Sequence, residues 1–288
     1  MEPETAWIPA DSRQEAMDWG LVLASQGIEA AILGPEGEQA WRLEVAAGDR
    51  ARALRAIKQY RLESRGWPWQ GAVLRQGYPF DWASLVWVLL LLLFFWREGR
   101  SGLAAAGMMV SARVAQGQWW RLFTAVWLHA DVGHLATNAT LGFVLMGLVM
   151  GRYGPGVGLL AAYLAGAAGN LCAWLLAPPS HRSLGASGMV LGCLGLLAAQ
   201  AFSFSRRNAP PPRLLASGIL AGVMLFVLLG LGPGTDVVAH LGGFLAGLLL
   251  GALLASLPGL AHRPAANLLG ALLFATLLIL PWSLARGD

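Results

Sequence analysis

The sequence predicts an α-helical polytopic membrane protein preceded by a small soluble α+β domain. Three observations predict it. Of 288 residues, 56% are hydrophobic and only 12% charged, against about 25% charged in an ordinary soluble domain. The charge is lopsided: of 16 acidic residues, only Glu98, Asp131, Asp236 and Asp288 lie beyond Asp81. The second part also carries repeated apolar runs of about 20 residues, the length a helix needs to cross a bilayer. Residues 1–66 are assigned to the soluble α+β domain, 67–80 to an interfacial linker, and 81–288 to a membrane domain with seven transmembrane helices.

Thr5 to Pro9 reads as a short strand. Asp11-Ser12 supplies an N-cap, with Glu15 placed for a capping box, and opens a helix running to Ser25. Ala16, Trp19, Leu21 and Leu23 are its apolar surface, and Gly27 stops it. Glu29 to Leu33 reads as a strand, Gly34-Pro35-Glu36-Gly37 as a turn, and Gln39 to Val45 as a strand with Trp41, Leu43 and Val45 on one face. Gly48-Asp49 starts a basic helix toward Arg65, with Leu54, Ile57 and Leu62 as its stripe. This β-α-β-β-α order resembles small soluble domains that precede membrane domains in some bacterial proteins. Nothing in it has catalytic spacing, so a packing or regulatory module is expected. Trp67-Pro68-Trp69 and Tyr78-Pro79-Phe80 then place aromatics at the membrane interface.

The spans are read as 80–96, 134–151, 156–177, 185–204, 214–231, 236–256 and 265–284, with Pro281 kinking or ending the last. Gly99 to Ala130 is too polar to span and too apolar for a solvated loop, so it is placed at the interface. Arg50, Arg52, Arg55, Lys58, Arg61, Arg65 and Arg75 precede the first span and favour a cytoplasmic N-terminus, hence an external C-terminus. Arg152, the Arg206-Arg207-Arg213 cluster and Arg263 then fall inside. Arg97, Arg100, Arg113 and Arg121 fall outside, against the rule. The acidic start Met1-Glu2-Pro3-Glu4 and the lack of an apolar stretch behind it argue against a secretory signal.

The net charge of +4 comes from scattered arginines, with no basic stripe interleaved with exposed aromatics, so no nucleic acid is expected. Cys172 and Cys193 fall inside apolar spans and read as buried thiols. No Cys/His metal spacing appears, and neither a metal nor a cofactor is expected.

Three polar sites in apolar surroundings carry the chemistry, because ionisable and polar groups at membrane depth are costly. Ser187 lies in Leu184-Gly185-Ala186-Ser187-Gly188, and no charge follows until Arg206. Gly185, Gly188, Gly192 and Gly195 form one helical stripe; His240, Gly243, Gly247 and Gly251 form another. Small residues let membrane helices approach closely, so the two stripes can bring a hydroxyl against an imidazole, the arrangement of a base-activated nucleophile. His134 and Asn138 share a helix face, and both carry side-chain donors able to stabilise an oxyanion. Each piece has a plainer reading. A lone membrane serine usually bonds to its own backbone, glycine stripes by themselves mean packing, and an His-x-x-x-Asn pair can equally be interhelical glue. The conjunction favours chemistry.

These motifs resemble those of the rhomboid intramembrane serine proteases. They are Gly185-Ala186-Ser187-Gly188; Ala239-His240-Leu241-Gly242-Gly243 with Gly247; His134-Leu135-Ala136-Thr137-Asn138; the Trp120-Arg121 pair of the long first loop; and His129. They run in family order over residues 119 to 251. The resemblance implies a rhomboid-like six-helix bundle plus one extra C-terminal helix. It implies Ser187 as nucleophile and His240 as general base, with His134, Asn138 and the Ser187 N–H as the oxyanion site. Asp236, one turn before His240, reads as a helix cap rather than a third catalytic member. Two positions depart from the pattern: Met150 stands where many members carry Glu, and Leu191 where an aromatic often packs on the histidine.

The resemblance further implies an intramembrane serine endopeptidase cutting in or near transmembrane segments of membrane-protein substrates. Its partners would be those substrates and membrane lipid, its location a bacterial inner membrane. The span at 214–231, with the loop Gly230 to Asp236, is expected to gate substrate entry. Two alternatives compete: a catalytically inactive rhomboid-like protein that binds membrane clients, and a channel or small transporter, which would carry more ionisable groups along a path. A histidine base must be neutral, so cleavage is expected to rise with pH through the acid range; a flat profile from about pH 5 to pH 8 would count against His240.

Overall fold

The computed structural model describes residues 5–34, 41–63, 79–208, 212–230, 235–257, 259–260 and 263–287. The turn residues 35–37, most of the aromatic linker (67–78) and residues 231–234 of the gate loop lie outside them. The chain divides into two compact units, Met1–Ala72 and Val73–Asp288.

In the first unit, β1 (Thr5–Pro9), β2 (Ala30–Leu33) and β3 (Arg42–Ala46) form an antiparallel sheet in the order β1-β3-β2. The capping box forms around Ser12, whose hydroxyl accepts the Glu15 N–H at 3.1 Å while the Glu15 carboxylate accepts the Asp11 N–H at 2.7 Å. This opens α1 (Arg13–Ser25), and Gly27 follows its end at φ 67°, a left-handed position that suits glycine. With α2 (Arg50–Glu63), the sheet encloses Ile8, Trp19, Leu23, Leu43, Val45 and Ile57. The expected stripe of α2 is partly wrong: Ala53 and Ile57 are buried, whereas Leu54 and Leu62 are exposed. The buried face of α2 is phased on Ala53 and Ile57, which leaves Leu54 and Leu62 off it. Leu21 is exposed on α1 for the same reason of phase, since Ala16, Trp19 and Leu23 fill the buried face.

Among the described residues the second unit has seven long helices, the first of them α3 (Ser84–Ser101). The stretch that follows is more ordered than its composition suggests. It folds into α4 (Leu103–Gly107), β4 (Met109–Val110), α5 (Ser111–Ala115), α6 (Arg121–Thr124) and a 3-10 turn at Ala125–Trp127. Arg121 organises it. Only 7% exposed, its guanidinium donates to the Gln118 carboxamide at 2.6 Å and to the carbonyls of Met108 at 2.7 Å and Ala105 at 3.1 Å. A buried cation is tolerable when its donors are matched in this way.

The remaining long helices are α7 (Val132–Tyr153), α8 (Pro155–Leu176), α9 (Ser187–Asn208), α10 (Pro212–Gly230), α11 (Val237–Ala255) and α12 (Pro264–Gly287). Among the described residues, α7, α8, α11 and α12 are long and apolar enough to cross a membrane, and α9 is apolar over Ser187–Ser203. Two short connections matter for the site. β4 pairs antiparallel with β5 (Arg182–Ser183), Met109 opposite Ser183, which ties the loop before α9 to the folded first loop. Met150, at the unusual position, is buried in the core; nearby the Tyr153 hydroxyl donates to the Leu196 carbonyl at 3.1 Å, joining α7 to α9.

α9 and α11 meet backbone to backbone. A Cβ on Gly243 would collide with the Gly188 carbonyl, and one on Gly247 with the Gly192 carbonyl. Both members of each pair advance by four residues, so the helices run parallel with their N-termini at one end. Gly185 is not part of this stripe, because α9 starts only at Ser187.

Pro281 neither ends nor interrupts α12, which continues to Gly287. A proline leaves the carbonyl four residues earlier without its helical donor. That carbonyl is Leu277 O, and the Tyr163 hydroxyl of α8 lies 3.3 Å from it and 3.2 Å from the Phe123 carbonyl, so its one proton is shared between the two acceptors. Tyr163 also accepts the Trp127 indole N–H at 3.2 Å. Tyr163→Phe is therefore expected to lower stability by about 1–3 kcal/mol. The cost should shrink in a Pro281→Ala background, where residue 281 regains an N–H. Thermal denaturation of the four proteins in detergent measures that coupling, and simple additivity would refute it.

Candidate active site

Ser187 is the first residue of α9, where the opening N–H groups of a helix have no partner within it. The turn before it is held from below: the Gly185 N–H donates to the Ala125 carbonyl at 2.9 Å. Gly185 adopts φ 127°, a region that L side chains rarely enter. It is also crowded, since a Cβ there would stand 2.6 Å from His134 Cε1 and 2.7 Å from His134 Nε2. Glycine at 185 thus lets the serine turn lie against α7.

His240 sits in the first turn of α11 and is 3% exposed. Its Nε2 lies 2.6 Å from the Ser187 Oγ, across the parallel glycine contact. With the proton on Nδ1, Nε2 can accept the serine hydroxyl proton. No aromatic at 191 is needed to place the backbone that carries the ring, because the Ala239 carbonyl packs where a Gly169 Cβ would be, on α8. Leu191 itself is buried in α9.

On α7, Asp131 caps the helix by accepting the His134 N–H at 2.8 Å. One turn on, Asn138 is 4% exposed, and its Nδ2 has no acceptor among the described residues. A Cβ at Gly185 would lie 3.7 Å from that nitrogen. The four residues singled out from the sequence, Ser187, His240, His134 and Asn138, therefore converge on one place. His129 stacks edge-on against His134 with ring centroids 5.1 Å apart. Burial, and then the neighbouring His134, lower its pKa to about 4, so it is neutral at physiological pH.

One part of the site escaped the sequence reading. Asp236 caps α11, accepting the Ala239 N–H at 3.0 Å, but it also pairs with His181 Nε2 at 2.8 Å. Burial alone would raise its pKa. The Ala239 N–H, the Ser183 hydroxyl and the His181 imidazole outweigh that and hold the carboxyl below its usual range. His181 and Ser183 belong to the loop that leads into Ser187, so this carboxylate joins the serine loop to the histidine helix. The available signal was a histidine and a serine in the short polar segment just ahead of the serine motif.

Comparison with known proteins gives a consistent picture. Residues 116–257 match the family model described as Rhomboid domain. The chain is 34% identical over 195 residues to "Rhomboid protease GluP" of Bacillus subtilis, covering 64% of this chain and 37% of that protein. It is 32% identical over 132 residues to "Rhomboid-like protease 3" of Toxoplasma gondii, covering 46% of this chain and 50% of that one. It is 33% identical over 147 residues to "RHOMBOID-like protein 4" of Arabidopsis thaliana, covering 49% and 35%. The matched region thus spans between about a third and a half of the length of these relatives.

The Asp236 link has a pH signature. A carboxyl whose pKa is lower in the folded state stabilises the fold above its unfolded value of about 4 and loses that contribution as pH falls through the folded value. The melting temperature of the wild type should exceed that of Asp236→Asn at neutral pH, and the gap should close below about pH 4. A gap constant with pH would show that the charge contributes nothing.

Proposed function

The chain belongs to the rhomboid family and is an integral membrane protein, and we propose that it is a serine endopeptidase hydrolysing peptide bonds in or near transmembrane segments of other membrane proteins. The observation that carries the proposal is the 2.6 Å approach of Ser187 Oγ to His240 Nε2. A substrate segment enters from the lipid and unwinds locally, because helical carbonyls are already bonded and shielded. Ser187 Oγ attacks the exposed carbonyl carbon, and its proton passes to His240 Nε2. The oxyanion accepts from the Ser187 N–H, His134 and Asn138 Nδ2; the unsatisfied, buried Asn138 donor supports this role. The tetrahedral intermediate collapses as the imidazolium returns its proton to the leaving amine. Water, activated by the neutral imidazole, then hydrolyses the acyl-enzyme.

On this reading the protein lies in a bacterial inner membrane with its N-terminus cytoplasmic. The domain at 1–66 is a separate soluble module ahead of the membrane domain at 81–288, and α10 is the gate. α10 packs beside α9 and α11, the helices that carry Ser187 and His240. The Met150 and Leu191 departures leave the proposed dyad and oxyanion donors intact.

The test uses the full chain in detergent with a fluorophosphonate probe and a transmembrane reporter substrate. Wild type should label and cleave. Ser187→Ala and His240→Ala should do neither while keeping wild-type melting behaviour. Asn138→Ala should lose about 10²- to 10³-fold in kcat, the usual cost of one oxyanion donor. Labelling that persists in Ser187→Ala removes Ser187 as nucleophile. A folded wild type that neither labels nor cleaves favours the inactive client-binding alternative.

A further inference from the structure

The first unit carries its charge unevenly. Among residues 1–49, ten acidic side chains stand against two cations, Arg13 and Arg42. In α2 the balance reverses: Arg50, Arg52, Arg55, Lys58 and Arg61 stand against Glu63 alone. Part of this is pairing within the unit. Arg52 meets Asp49 at 3.2 Å, and Arg61 meets Glu15 at 2.9 Å. Arg50, Arg55 and Lys58 have no ion pair among the described residues, and all three are exposed.

These three cations share a face with apolar side chains. Arg50, Leu54, Lys58 and Leu62 succeed one another every four residues, so they lie along one side of the helix, with Ala51 and Arg55 beside them. The buried residues of α2, Ala53 and Ile57, belong to the opposite side, against the sheet. Leu54 is 40% exposed and Leu62 56%. The ladder from Arg50 to Leu62 is about 18 Å long. A face that meets only water gains nothing from the leucines, and an apolar partner gains nothing from the cations. The alternation suits a surface that is anionic outside and apolar just beneath. There the leucines press between headgroups, while the Arg and Lys stems carry their charges back to the phosphates. Residues 64–83 connect α2 to α3, and about 20 residues span at most about 70 Å. The helix therefore never leaves the neighbourhood of the bilayer, and a weak attraction suffices.

We propose that the outer face of α2 docks on the anionic phospholipid surface of the membrane that holds the chain. Each cation favours an anionic over a neutral surface by about fivefold, so Arg50, Arg55 and Lys58 together favour it by about a hundredfold. The acidic remainder of the unit is repelled by the same surface, which turns α2 toward the lipid. A nucleic acid would attract the three cations but would gain nothing from Leu54 and Leu62. The inference rests on the chain being an integral membrane protein and not on its being a protease.

Lys58 is the only lysine of the chain, so its acylation by a water-soluble amine reagent reads this face directly. The full chain is placed in nanodiscs of dioleoylphosphatidylcholine, alone or mixed with dioleoylphosphatidylglycerol, and the rate at Lys58 is followed by peptide mass spectrometry. A disc offers the same lipid on both faces, so the orientation of the chain does not enter. Lys58 should react at least about tenfold more slowly in the mixed discs. Molar salt, with a Debye length of about 3 Å, should remove the difference. Arg55→Gln should lower the protection about fivefold, and Leu54→Ser combined with Leu62→Ser should lower it as well. Melting temperature checks the fold of the variants; if the leucine pair fails to fold, Arg55→Gln decides. Equal rates in the two kinds of disc overturn the proposal, as does protection that the folded arginine or leucine variants leave unchanged. Protection of Lys58 in phosphatidylcholine discs by an added single-stranded oligonucleotide, surviving the leucine changes, would assign the face to nucleic acid and overturn it too.

Discussion

The approach of α9 to α11 governs the membrane unit. Between helices in lipid, apolar surface gains nothing from burial against other apolar surface, so association depends on close van der Waals contact and on polar groups. Here the contact is made by backbone. Gly188 and Gly192 present carbonyls to Gly243 and Gly247, and no Cβ fits at either of the facing positions. The same closeness extends to α8, where Gly169 meets Ala239, and Gly166 meets Met189 with only 3.0 Å for a Cβ. Ser187 and His240 both lie in first turns at the start of this parallel contact. Their separation is therefore set by the glycine pairs behind them. A side chain inserted there would part the helices by more than a hydrogen bond tolerates.

Buried polar side chains of the first loop and of the proposed site differ in how their donors are used. Arg121, Thr124 and Asn170 donate to main-chain carbonyls, Thr124 to Gly107 at 2.7 Å and Asn170 to Leu122 at 2.8 Å, and Arg121 donates also to the Gln118 carboxamide. The Arg121 and Thr124 bonds tie the first loop to itself, and the Asn170 bond ties it to α8. Asn138 Nδ2 has no partner among the described residues. An unsatisfied buried donor costs about 1–3 kcal/mol. That cost is easiest to understand where a charge appears only during reaction, since a donor already committed to a neighbour could not turn to an oxyanion. Asn138 in the proposed site differs in this respect from Arg121 and Thr124 in the first loop.

Much of this was legible in the sequence, and the boundary has a physical origin. The seven long helices follow from the length of the apolar runs, and the convergence of Ser187 with His240 follows from two glycine stripes with matching four-residue steps. Both are local patterns. The misreadings concern partners distant in the chain. Pro281 reads as a helix kink or end because the sequence does not show the Tyr163 hydroxyl lying between the Leu277 and Phe123 carbonyls. Leu54 reads as part of a buried stripe because the sequence does not show that the sheet and α1 meet α2 on the face of Ala53 and Ile57. The His181–Asp236 pair joins residues 55 apart, and neither pattern nor composition brings them together.

That pair bears on the absence of an aromatic at 191. An imidazole can be oriented by a ring packed on its face or by fixing the backbone that carries it. The second device is visible here. Asp236 caps the first turn of α11, and the same carboxylate reaches across to His181. The His181 carbonyl in turn accepts the Ser111 N–H at 3.0 Å, and Ser183 is paired with Met109. The loop into Ser187 and the helix carrying His240 are thus anchored to each other and to the folded first loop. With both backbones fixed, only the side-chain torsions of His240 remain, and the 2.6 Å contact with Ser187 constrains them further. Leu191 is compatible with an ordered imidazole because the order comes from the start of the helix and the loop beside it.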